Sequence, residues 1–368
     1  MTGVNKVCKF REMKFNTISS QKLIDVKNIT DILENDILNS SPELLSILLK
    51  DQTRSLAEES DQNILWATSD YESLGKGYRF HDQILPELIT GKNGHVIMPR
   101  VLKCRDTVAT RVREMAEVFT PAWICNLQNN QVDEKWFGRK NVFNTEEISS
   151  SGVPYWTPNL QKIEFPVGRD WCDYVRDTRL EITCGEAPYL VSRYDAATGC
   201  SIPLEMRIGL LDRKLRVVGE NTNSIEEWLE AAELAFKSSY AYEWQGDSLL
   251  IARESLLYSF IEYFRSKFSK EPDIENIKSI AYIISWNIWQ MDGLRGVIPD
   301  TCHDEVHEQE ALFGQATQTI EQCEGCRTGN WYKHNGIYCY IMDWGAKKGR
   351  STAFGKRIRY IDLMRDSK

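Results

Sequence analysis

From about residue 111 the chain alternates short apolar runs with longer amphipathic ones, and this alternation constrains its fold more than any other feature. RLEIT, RIGLL, YEWQG and IAYIISW read as strands. WLEAAELAFKSSY and LLIARESLLYSFIEYFRSKF carry the three- and four-residue apolar spacing of helices. Two strands joined through a helix must lie parallel, so repeated units of this kind build a parallel sheet covered on both faces. The expected fold class is therefore α/β.

The flanks differ from this core. Between residues 18 and 60, ITDILENDIL and PELLSILLKDQTRSLAEE place Leu and Ile at helical spacing, and Ser41 before Pro42 and Glu43 marks a helix start. Residues 61–110 are mixed: Gly75, Gly77, Gly91 and Gly94 mark turns, and GHVIMPRVLK reads as a strand ended by a proline bend. Beyond about residue 300 the chain is rich in Cys, His and Gly, then basic from Lys347 to Arg359. Three regions follow: a mainly helical 1–110, an α/β core over 111–300, and a small Cys/His-rich module over 301–368.

Composition narrows the function. A net charge of −8 argues against a chain that grips DNA unaided, because phosphate neutralisation supplies most of that affinity, and it favours a partner subunit. No apolar run approaches the ~20 residues that span a bilayer. The N-terminal MTGVNKVCKFREMKFN has no apolar stretch of the signal-peptide type, so a cytoplasmic location is expected. In that setting the ten cysteines read as reduced thiols, with room for one metal site, and not as a disulfide framework.

Five segments carry candidate chemistry. In RLEITCGEAPYLVSRYD a short strand, a tight Cys-Gly turn and a following helical segment form a cradle into which a cofactor's backbone contacts fit. In AEVFTPAWICNLQNN a Phe-Thr-Pro turn enters a helix. RIGLLDRKLRVV is an apolar run ending in Asp212, a place for a carboxylate that accepts two sugar hydroxyls. YEWQGDSLL sets Asp247 after the next strand, and IAYIISWNIWQMDG sets Asn287 and Trp289 after the last.

These five segments resemble the motifs of the DNA adenine (amino) methyltransferases, over roughly residues 110–300, and along the chain the Phe-Thr-Pro segment precedes the Cys-Gly one as it does in that family. The first resembles "DPACGSGxFL" through Glu181, Thr183, Cys184, Gly185, Glu186 and Leu190, with Ala187 and Pro188 in place of the second glycine. The second resembles "GxFFTPxxVAxLM" through Val118, Phe119, Thr120 and Pro121. The chain is also similar, over NILWATSDY and EVFTPAWICN, to small proteins labelled as modification (M) subunits of restriction systems. The resemblance implies a Rossmann-like core that binds S-adenosylmethionine. Phe119, Thr120 and Pro121 would hold the methionine end, Asp212 the ribose and Asp247 the adenine of the cofactor. It implies methyl transfer to the exocyclic amino group of adenine in DNA, in a restriction–modification or phage-defence setting with a specificity or nuclease partner. Asn287 would orient the target amino group and Trp289 would stack on the flipped base. The family's "(D/N/S)PP(Y/F)" is here Asn287-Ile288-Trp289-Gln290, without either proline. That departure and the acidic charge point to an alternative, a non-catalytic cofactor-binding subunit of a defence complex. Transfer to RNA or protein is a third reading.

The tail adds CEGCRTGNWYKHNGIYC. Its Cys323-x-x-Cys326 has the form of a zinc knuckle, and Cys302 and His303 are the candidate completing ligands, with His307, His334 and Cys339 also within the module. Buried thiols and a redox dithiol remain alternative readings of the pair. The final GAKKGRSTAFGKRIRY is basic with interleaved aromatics, a composition suited to a phosphate backbone.

Overall fold

In the computed structural model, residues 31–103, 120–309, 317–345 and 355–364 are described. The N-terminal region opens with three short helices, α1 (Glu34–Ser40), α2 (Pro42–Leu49) and α3 (Gln52–Ala57). Ser41 caps α2 as expected: its hydroxyl accepts the Leu44 N–H, with Pro42 in the first turn. The apolar side of α2 (Leu44, Leu45, Leu48 and Leu49) is fully buried in the main core. GHVIMPRVLK is not a strand. It follows α4 (Pro86–Ile89) as turns and ends in a 3₁₀ turn at Arg100–Leu102.

Next come α5 (Ala122–Phe137), an antiparallel hairpin of β1 (Asn144–Ile148) and β2 (Pro154–Pro158), and α6 (Trp171–Arg176). The central sheet has three parallel strands in the order β3 (Arg179–Glu181), β4 (Ser239–Glu243), β5 (Ile288–Gln290). Helices α7 (Leu210–Asn221) and α8 (Ile225–Lys237) join the first pair; α9 (Gly246–Phe268) and α10 (Ile274–Asn287) join the second. The parallel sheet with helical crossovers is thus present, and RLEIT, YEWQG and both long helices fall near their expected places.

Two expected strands are helical. Leu210 and Leu211 of RIGLL open α7, where the Asp212 carboxylate accepts the Gly209 N–H at 3.2 Å and so caps the helix start. IAYIISW lies in α10, with Ile280, Ala281, Ile283 and Ile284 buried, and the strand begins only at Ile288. Each run is short and mostly buried, with Tyr282 the exposed exception, so it shows too little of a polar face to reveal its period, and helix and strand look alike in sequence.

The N-terminal helices are joined to the core by buried hydrogen bonds. The buried guanidinium of Arg253 in α9 donates to the carbonyls of Leu48 (2.6 Å) and Lys50 (3.0 Å) at the end of α2, and to Ile288 O (2.8 Å) at the start of β5. One side chain therefore satisfies the orphan carbonyls of a helix end and ties that helix to the sheet. The tail consists of the β6 (Glu305–Gln309) and β7 (Thr317–Glu321) hairpin, α11 (Glu324–Thr328), and the β8 (Tyr340–Asp343) and β9 (Lys356–Arg359) hairpin. It packs through Ile341, Tyr360 and Ile361 onto Leu65, Tyr242 and Trp289 in a second apolar cluster. No described helix is long and apolar enough to cross a membrane.

Candidate functional site

All three strands point their carboxyl ends toward one edge of the sheet, where α/β proteins bind ligands. Beyond β3 the backbone turns sharply. Thr183, Gly185 and Ala187 have φ values of 45°, 54° and 59°. Holding two side-chain-bearing residues left-handed costs about 1–2 kcal/mol each, so surrounding contacts must hold the turn. Those contacts run to β4. Cys184 N–H donates to Tyr242 O (2.9 Å), and Gly185 N–H donates to the Glu243 carboxylate (2.8 Å), which also accepts the Gln245 N–H (3.2 Å). Behind the turn, the buried carboxylate of Glu181 accepts the Tyr189 (3.2 Å) and Leu190 (2.9 Å) N–H groups. Burial pushes Glu181 up to about 8; the two amides act against this and Glu243 adds to it.

The helical segment expected after the turn is missing. Residues 187–191 form successive turns, and the start of α7 is occupied by the Tyr189 and Leu190 carbonyls, bound by Leu210 N–H (2.7 Å) and Leu211 N–H (2.9 Å). The half-buried Glu243 ends β4, and Asp292 follows β5, accepting the Leu294 N–H at 2.9 Å. Gly293 lies so close to Tyr242 that a Cβ would sit 2.7 Å from its ring. Ile182 and Leu294, 61% and 81% exposed, flank this edge.

The other predicted positions divide. Thr120 and Pro121 lead directly into α5, which is tied to the turn region by Asn129, whose amide donates to Tyr189 O (3.0 Å) and Ile208 O (2.9 Å). The helix start is held by Asp195, which accepts the Ala122 N–H, and not by Thr120. Phe119 lies outside the described residues. Asp212 is not at a strand end. It is wholly buried, and its carboxylate serves the N–H (2.8 Å) and hydroxyl (3.1 Å) of Ser192, so no sugar reaches it. Asp247 is equally buried in the first turn of α9, holding the Tyr71 hydroxyl (2.7 Å) and the Lys103 ammonium (2.8 Å).

Asn287 and Trp289 do not form a target site. Asn287 precedes β5 and so sits at the amino end of the sheet, opposite the cradle. Its amide is fully used: the NH₂ donates to Phe236 O (2.9 Å) and Ser239 O (3.1 Å), and the oxygen accepts the Trp344 indole N–H (2.8 Å). Trp289 is buried within β5 between Tyr242 and Tyr360. The sequence reading missed Glu243 and Asp292. Their signal is an acidic residue just at, or two residues past, the end of a strand, which shows only once the strands lie at Ser239–Glu243 and Ile288–Gln290.

In the tail, Cys302, Cys323, Cys326 and His334 bring their ligand atoms within 4.8 Å of one another, a group that could hold a metal ion. His334 Nδ1 stands 3.5, 3.8 and 3.6 Å from the sulfurs of Cys302, Cys323 and Cys326. A tetrahedral ion with metal–sulfur bonds of about 2.3 Å and a metal–nitrogen bond of about 2.1 Å sets nitrogen and sulfur about 3.6 Å apart. Gly325 makes the approach possible, since a Cβ there would lie 2.6 Å from the His334 ring. His303 is outside the group: it is exposed, and its ring faces Thr301 O. His334 fills the fourth position instead. The Cys-x-x-Cys reading found two ligands, and only the fold could select among the distant candidates.

Comparison with protein-family models, curated proteins and solved structures returned no match to this chain.

Proposed function

We propose that this chain binds S-adenosylmethionine at the carboxyl edge of its parallel sheet, as a methyltransferase-like protein with a Rossmann-like core. The observation that carries the reading is the hydrogen bond from Gly185 N–H to Glu243, which joins the Cys184–Gly185 turn to an acidic residue ending the neighbouring strand. A carboxylate at the carboxyl end of a parallel strand, beside a tight turn, is the group that accepts ribose hydroxyls in α/β nucleotide sites. Glu243 takes the role expected of Asp212. Calorimetric titration with S-adenosylmethionine and S-adenosylhomocysteine tests this. Saturable binding to both is expected, and its absence rejects the reading.

The resemblance to modification subunits supports DNA adenine as the target and a restriction or phage-defence complex as the setting. The enclosure of Asn287 and Trp289 favours the second form of that reading, a cofactor-binding subunit that depends on a partner for methyl transfer. A labelled-methyl assay on DNA separates the two forms: transfer by the chain alone rejects the non-catalytic one. For the Cys302/Cys323/Cys326/His334 group we propose zinc in a structural role, because its Cys₃His donors leave no ligand position open for substrate.

A further inference from the structure

One feature of the tail is used by neither the sheet edge nor the metal group. A groove of roughly 650 Å³ opens between α3 and the β8–β9 hairpin. Leu56 and Ala57 form one wall, and Tyr338, Tyr340, Arg357 and Arg359 form the other. Strand geometry explains the second wall. Tyr340 pairs with Arg359 across the hairpin, so Arg357, two residues along, is its diagonal neighbour on the same face. Rings and guanidinium groups therefore stand side by side.

These four residues are not equally free. Tyr338 is fixed: its hydroxyl accepts the His334 N–H (2.8 Å) and donates to Trp331 O (2.9 Å), and Arg359 lies over its ring at 5.1 Å. Arg359 is also held by Asp362 through two contacts, at 2.9 and 3.1 Å. Tyr340, in contrast, is 37% exposed, and its ring is covered by no other side chain in a ring or cation–π contact among the described residues. Arg357 is exposed and makes no ion pair among the described residues. The groove thus offers one open aromatic face, one uncommitted guanidinium, and a rigid base beneath them.

We infer that this groove binds single-stranded nucleic acid, with a base stacked on Tyr340 and a backbone phosphate on Arg357. A planar π-face beside a free cation is the pairing that sequence-tolerant single-strand binders use. A duplex keeps its base faces covered, so it cannot use Tyr340. The acidic balance of the chain limits affinity at ordinary salt, which makes the site a local contact within a larger assembly and not an autonomous grip.

Fluorescence anisotropy of the full chain with a labelled oligothymidylate at low ionic strength tests the inference. Saturable binding is expected, weakened about tenfold by Tyr340→Ala and restored by Tyr340→Phe, which keeps the ring. Arg357→Glu should weaken binding and flatten its logarithmic salt dependence by about 0.7, the share of one phosphate contact on a single strand. Lys140→Glu, outside the groove, should leave binding unchanged, and matching thermal melts should show that all variants fold. Absence of saturable binding overturns the inference. So does binding that ignores both Tyr340→Ala and Arg357→Glu, equal or tighter binding of duplex, or binding of thymidine monophosphate alone.

Discussion

Replacing Asn287 with Ala should damage the fold and leave cofactor binding intact. The amide forms three buried hydrogen bonds, to Phe236 O, Ser239 O and Trp344 Nε1, at 2.9, 3.1 and 2.8 Å. Truncation orphans two carbonyls and an indole N–H in a site that is 1% exposed. Each buried orphan costs about 1–3 kcal/mol, and partial relaxation brings the sum to about 3–5 kcal/mol. That is a large part of the roughly 5–15 kcal/mol that holds a typical domain together. It should appear as a lower denaturant midpoint in urea, followed by tryptophan fluorescence, since Trp344 loses its partner. The same preparation, kept well below its transition, should bind S-adenosylmethionine as the parent does, because Asn287 lies at the opposite end of the sheet from the Cys184–Gly185 turn. An unchanged midpoint together with lost methyl transfer would refute this reasoning and return Asn287 to a catalytic role.

Three further outcomes follow from the same geometry. His334→Ala should lower bound metal from about one zinc per chain, measured by elemental analysis, whereas His303→Ala should not; equal losses would reject the assigned ligand set. Asp133→Ala should destabilise the protein by about 3–5 kcal/mol in chemical denaturation, because it strips the buried Arg213 guanidinium of its carboxylate partner at 2.6 Å; a loss below about 1 kcal/mol would contradict that. Burial raises Glu34 to about 8, against its own backbone N–H, which acts to lower it, and beside Glu254, which burial also raises. Because the folded state holds these protons more tightly than the unfolded one, stability should fall as pH rises from the ordinary carboxylate range through about 8. Glu34→Gln should flatten that fall by a few kcal/mol, on the order of the shift involved, and an unaltered pH profile would contradict it.

Much of the fold could be read from residues 111–300 because helices with one polar face keep a visible period. WLEAAELAFKSSY has one, and α8, at Ile225–Lys237, overlaps most of it. IAYIISW has none: in α10 all of it but Tyr282 is buried against α2, α8, α9 and the sheet, and a short, mostly apolar helix segment looks like a strand. The error propagated to the site. Placing a strand at RIGLL put Asp212 at a sheet edge, when its carboxylate in fact caps α7; placing one at IAYIISW put Asn287 after a strand that it precedes. The Cys184–Gly185 turn was legible because glycine after a short strand is itself the signal, and the same holds for Cys323 and Cys326 with Gly325 between them. Partners distant in sequence, such as Glu243 for Gly185 and His334 for Cys302, come together only through the fold.

The most direct test of the cofactor site compares Glu243→Ala with Asp212→Ala by calorimetric titration with S-adenosylmethionine, on protein shown to be folded. The structure predicts that Glu243→Ala weakens binding by about 1–3 kcal/mol, the size expected for a lost charged acceptor, and that folded Asp212→Ala binds like the parent. Parent-like binding by Glu243→Ala, with the loss falling on Asp212→Ala instead, would contradict the assignment of the carboxyl edge.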